Sequence, residues 1–166
     1  DGFAAVELPY AGDELAMQVF LPDEVDGLAE FEKKLSADNL AKWTFHSRDV
    51  NLSLPKFKMT REFTLNEQLA RLGMPLAFSS RADLSGVGGS PGELYVSSVL
   101  HKAFVDVNEE GTEAAAATGI VVGVTAMPPP PVEFKADHPF LFIIRHKPTG
   151  GVLFIGRLVD PKDEGK

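Results

Sequence analysis

A chain of 166 residues is one domain of ordinary size or part of a larger one, and too short for two. With 44% hydrophobic and 24% charged residues it can bury a core, which excludes a disordered acidic tail, a collagen-like repeat and a membrane span. With 16 Lys and Arg against 24 Asp and Glu the net charge is −8, so no nucleic-acid partner is expected, and the lack of cysteine removes disulfides, thiolate metal sites and thiol catalysis.

The chain starts at Asp1 with no leader-like succession of positive, apolar and small residues, so it reads as processed or truncated at that end. Residues 3–10 and 15–22 are apolar runs around Ala11-Gly12-Asp13-Glu14 and predict a hairpin with a Gly-Asp turn. Leu28, Phe31 and Leu35 form one helical stripe, and Ser36 to Trp43 offers a second short helix capped by Ser36 or Asp38. From Val50 to Phe57 the side chains alternate with period two, predicting a half-buried strand with Val50, Leu52 and Leu54 on one face. Thr64 opens a helix to Leu72, with Leu65, Leu69 and Leu72 in register and Gly73 as its stop. The five Gly and Pro residues between Gly86 and Gly92 make 78–93 a loop. Leu94 to Val107 predicts one long strand whose odd half, His101 included, faces inward. Pro139 to His146 and Val152 to Val159 predict a buried terminal hairpin, and Asp160 to Lys166 a frayed tail.

Between Val107 and Val132 lies a stretch too long to be an idle loop in a compact domain, so it is expected to be functional. Set out as an extended strand from Gly111, one side carries Thr112, Ala114, Ala116, Thr118, Ile120, Val122 and Val124. That side has no charge, proline or ring. Small neutral residues at every inward position are what a segment needs to slide between two existing strands. Burying Ile120, Val122 and Val124 would contribute about 1.5–3 kcal/mol each, so an exposed loop would be metastable.

The run from Val105 to Thr118 resembles the hinge of inhibitory serpins, and residues 138–146 with 151–157 resemble their carboxy-terminal signature. Val6 to Tyr10, Leu54 to Phe57, Leu65 to Gly73, Ala82 to Gly86 and Val99 to Ala103 follow in the family's order. The resemblance implies an α+β serpin fold of antiparallel β-sheets, a few short helices and a long exposed or inserted reactive loop. It covers only the carboxy-terminal half: hairpin, small helices and strand over 1–57, a helix over 63–73, a central-sheet strand over 94–107, hinge and reactive loop over 108–131, and the last strands over 132–160.

The implied activity is suicide inhibition of a serine, or sometimes a cysteine, protease, with no cofactor and no enzyme activity; loop insertion is a general example of strand addition and strain release. The implied partners are that protease and the complementary amino-terminal half. The hinge falls on Glu109, Glu110, Gly111, Thr112, Glu113, Ala114, Ala115, Ala116, Ala117 and Thr118. The family's spacing puts the scissile bond at Thr125-Ala126, with Val124-Thr125 and Met127-Pro128 as alternatives. Without Lys or Arg between Gly111 and Pro131, an elastase-like, subtilisin-like or chymotrypsin-like target is expected. Glu109 and Lys56 match the salt bridge at the sheet entrance, and His101 matches the shutter histidine, whose usual partners lie in the other half. An extracytoplasmic or secreted setting is favoured.

The four histidines lie on separate elements without ligand spacing, so no metal site is expected. Gly86 to Gly92 lacks the Lys-Ser/Thr of a phosphate cradle. Asn51-Leu52-Ser53 is formally a glycosylation acceptor inside a predicted strand, where an ordinary asparagine is the better reading. Pro128 to Pro131 reads as a stiff spacer rather than a groove ligand, and the Ala-rich hinge could be helical. The alternative function is a serpin-fold protein that binds a ligand or acts as a chaperone without inhibiting. Its mark would be charge or proline on the inward side of the hinge.

Overall fold

The structure is a computed structural model and describes residues 2–108 and 130–162. In chain order its elements are β1 (Phe3–Pro9), β2 (Leu15–Pro22), α1 (Leu28–Glu32), α2 (Ala37–Lys42), β3 (Val50–Ser53), β4 (Phe57–Thr64), α3 (Asn66–Arg71), a single 3-10 turn (Pro75–Phe78), β5 (Leu100–Val107), β6 (Val132–Lys135), β7 (Phe140–His146) and β8 (Gly151–Leu158). The described residues fall into two compact units, one built from those up to Phe57 with those of Val107–Lys162, the other from Lys58–Asp106.

The first unit rests on an antiparallel sheet in the order β1-β2-β7-β8. The turn after β1 forms as expected, with Gly12 at φ +88° and Asp13 at +56°. Because β2 and β7 have neighbours on both sides, they carry the most buried apolar runs, that of β2 broken only by Gln18, whose Nε2 donates to Glu7 Oε2 at 2.7 Å: Val19, Phe20, Phe142 and Ile143 are at most 1% exposed. Alternation sends Phe20, Leu141 and Ile143 to one face, where Leu28 and Phe31 of α1 close over them with Trp43 and Phe45. On the other face the Phe57 ring lies 6.2 Å from Phe140 and 5.4 Å from Phe142.

Both short helices form on this unit. Ser36 is the cap of α2, its Oγ accepting the Asn39 N–H at 3.1 Å. Two expectations change. The last hairpin is not buried throughout, because β8 is an edge strand, and its residues Val152, Leu153, Phe154 and Ile155 are 41–56% exposed. The strand expected over 50–57 stops at Ser53, where the Ser53 carbonyl accepts from Ala136 and Pro55 then offers no N–H to continue a ladder. β3 instead pairs in parallel with β6, a strand hidden in the sequence behind four prolines.

In the second unit β4 pairs with β5. Thr64 ends that strand rather than starting a helix, so α3 begins at Asn66; Gly73, at φ +107°, stops it as expected. The strand expected from Leu94 starts only at Leu100. The reason is a side chain: Asn66 donates from Nδ2 to the Ser97 carbonyl (2.9 Å) and accepts the Val99 N–H on Oδ1 (2.8 Å), while Val96 N–H goes to the Ala77 carbonyl. The Val96 and Val99 N–H groups and the Ser97 carbonyl are thus taken up off-ladder, while the Val99 carbonyl still accepts the Leu65 N–H at 2.9 Å in the β4–β5 register.

Candidate functional site

The long segment singled out from the sequence lies between β5 and β6, so its site is built from those two roots. At the first root, Lys58 Nζ lies 3.0 Å from Asp106 Oδ2 and Lys102 Nζ 2.6 Å from Glu62 Oε1. The residue numbers of each pair sum alike, so β4 and β5 run antiparallel with Lys58 across from Asp106. The hydrogen bond from Lys102 holds the Glu62 carboxyl below the usual carboxylate range. Such exposed pairs add little stability and serve mainly to fix register. On the odd face Ala103, Val105 and Val107 are half-buried, whereas His101 is exposed and stacks on Phe63, with ring centroids 6.3 Å apart and planes at 23°. A shallow depression of about 320 Å³ runs along Glu62–Thr64 and Leu100–Lys102.

At the second root, β6 is held by four register pairs to β3. Val132 N–H donates to the Asp49 carbonyl (2.9 Å), Asn51 Nδ2 to Glu133 Oε1 (2.5 Å), and Phe134 points inward at 5% exposure. Just beyond, His138 places Nδ1 2.9 Å from Asp137 Oδ1 and Nε2 2.7 Å from the Pro22 carbonyl. Hydrogen bonding to Asp137 and then to Pro22 raises the His138 pKa, and the same His138 contact, with Lys135, lowers that of Asp137.

The two strands that hold these roots, β3 and β4, are consecutive, joined only by residues 54–56. Lys56 sits exposed in that link. Glu109 to Thr118 and Val124, Thr125, Ala126 and Met127 fall outside the described residues, so the hinge, the bond and the Glu109–Lys56 pair do too. Sequence reasoning missed β4 as partner of the hinge strand. Its signal was the β-branched and aromatic content of Phe57, Thr60, Phe63 and Thr64, weakened because Arg61 breaks the alternation that Met59 and Phe63 begin. Among the described residues no three His, Asp or Glu side chains gather as a metal site, and no helix is long and apolar enough to cross a membrane.

Residues 1–161 match a family model described as Serpin (serine protease inhibitor). The chain is 49% identical over 164 residues to the leukocyte elastase inhibitor of Bos taurus, covering 94% of this chain and 43% of that protein. It is 48% identical over 160 residues to Serpin B4 of Homo sapiens, covering 94% and 41%. Among solved structures it resembles uncleaved ovalbumin, with TM-score 0.80 and 38% identity over 96% of this chain and 43% of that one. It also resembles the native stressed conformation of Arabidopsis AtSerpin1, with TM-score 0.78 and 37% identity over 97% and 44%. The chain thus spans less than half the length of the relatives it matches.

Proposed function

Because the chain belongs to the serpin family, we propose that the whole protein inhibits serine-type endopeptidases by offering the segment between β5 and β6 as a bait, and is not itself an enzyme. The observation that carries this reading is the uncharged, proline-free side from Thr112 to Val124, hung between two strand roots. The protease serine attacks the carbonyl of Thr125, the peptide bond to Ala126 breaks, and an ester links protease to loop. The freed hinge then enters the sheet beside β5, and the attached protease is distorted before water can cleave the ester.

Supporting an elastase-like target are the relatives named leukocyte elastase inhibitor and the β-branched Val124 and Thr125, with uncharged Met127, near the bond. An uncharged residue at the bond also leaves subtilisin-like and chymotrypsin-like proteases as targets, the latter through a wider apolar pocket that suits Met127 better than Val124 or Thr125. Register supports the sheet-entrance pair: Lys58 faces Asp106, so two residues further Lys56 would face Asn108, beside Glu109. His101 is the shutter histidine in this reading, placed on the uncharged side of β5. The exposed side chains of β8 and β5 are surfaces for the rest of the protein, the complementary amino-terminal half.

The test is to incubate the full-length protein with leukocyte elastase and run a denaturing gel. A covalent band heavier than either partner is expected. Complete loop cleavage without such a band would remove inhibition and leave the non-inhibitory binding or chaperone-like role.

A further inference from the structure

His138 lies in the short connection between β6 and β7, with its side chain 13% exposed. Both ring nitrogens face acceptors: the Asp137 carboxylate at 2.9 Å and the Pro22 carbonyl, at the end of β2, at 2.7 Å. A neutral imidazole has one N–H and can satisfy only one of them; the imidazolium satisfies both. Pro22 cannot easily turn away, since it is the last residue of a buried strand and the next N–H, that of Asp23, is tied to the Gly2 carbonyl at 3.1 Å.

We propose that protonated His138 is a clasp that ties the β6–β7 connection to the end of β2 and loosens when the proton leaves, so that β6 is held less firmly at alkaline pH. Among the described residues Asp137 is the charge that acts on the ring, and it shares its other oxygen with Lys135 at 3.2 Å. From the β2 side the contact is an uncharged carbonyl, followed in the chain by Asp23 and Glu24; across β7 from the clasp, Phe140 pairs with apolar Leu158. Because β6 has only four register pairs, a tie immediately after it bears on how firmly it stays on β3. That β6 also anchors the far end of a protease bait rests on the inhibitor reading; the clasp does not.

The sign follows from the direction of the shift. A folded-state pKa raised above the ordinary imidazole value of about 6.5 gives a contribution fully present below that pH and lost as pH rises through the raised folded value. In the full-length protein, the His138 ring proton should titrate by NMR with a midpoint above 6.5. Hydrogen-exchange protection at Val132–Lys135, corrected for intrinsic rate, should fall about 5-fold between pH 6 and pH 9. His138→Arg, which keeps two donors and a fixed charge, should hold protection level across that range, and His138→Gln should lack the acid-side gain. A midpoint at or below 6.5, or equal pH profiles for wild type and His138→Arg, would overturn the clasp. Neither result touches the elastase gel, so the two readings fail separately.

Discussion

Gly156 shows how one missing side chain sets the packing of a sheet. It lies opposite Phe142 in the β7–β8 register, and a Cβ at its position would come within 2.5 Å of Phe142 Cζ and 2.8 Å of Cε1. The ring has nowhere to go, being 1% exposed and packed against Phe57 at 5.4 Å. Gly156→Ala should therefore cost about 1–3 kcal/mol, the usual penalty for overfilling a packed core. The expected readout is a lower denaturant midpoint at unchanged slope in the full-length protein. Combining it with Phe142→Leu should recover part of the loss, because the two sites share one volume. An additive double mutant would show that the ring is not what the methyl meets. In the sequence this is only a glycine inside a strand pattern, a sign of some close approach, and the side chain that approaches is legible only once its cross-strand neighbour is known.

Elements are where the sequence was read well or badly, and the difference is physical. The first hairpin and α2 follow from local chemistry alone: Gly12 and Asp13 supply the turn, Ser36 the cap. The start of β5 depends on Asn66, some thirty residues away, which takes up backbone groups that an apolar pattern assigns to a ladder. β8 looks as buried as β7 in composition, and only sheet order tells the edge from the interior. The candidate site divides the same way: its residues came from a contiguous motif, whereas β4 and β6, the strands that frame it, depend on pairing. Arg145 is a comparable long-range tie, donating from Nε to the Gly150 carbonyl (3.0 Å) and from Nη1 to the Leu40 carbonyl (3.2 Å), so it fastens α2 to the β7–β8 turn. Arg145→Met abandons both carbonyls and should cost about 1.5–3 kcal/mol; Arg145→Lys, able to reach one, should cost about half as much. Denaturant unfolding measures both, and equal losses in the two variants would refute the two-carbonyl tie.

At the scale of the whole molecule the inhibitor reading makes a demand that no single contact makes: cutting the chain must stabilise it. Residues Ile120, Val122 and Val124 would each gain about 1.5–3 kcal/mol on leaving water, and the ladder hydrogen bonds of a new strand add to that. Cleavage of the full-length protein between Gly111 and Pro131 should therefore raise its thermal midpoint by roughly 10 °C or more. The gain depends on the inward side being clear, so a charge there is the sharper probe. Ala114→Arg would have to bury a guanidinium without a partner and should slow insertion, letting water win; Ala115→Arg, on the other side, would leave its charge in solvent. With elastase the first variant should be cleaved with little covalent band and the second should trap about as well as wild type. The same loss in both variants would mean that the alternation read from the sequence is not the one the sheet uses. A midpoint unmoved by cleavage would mean that the loop has no strand position to gain.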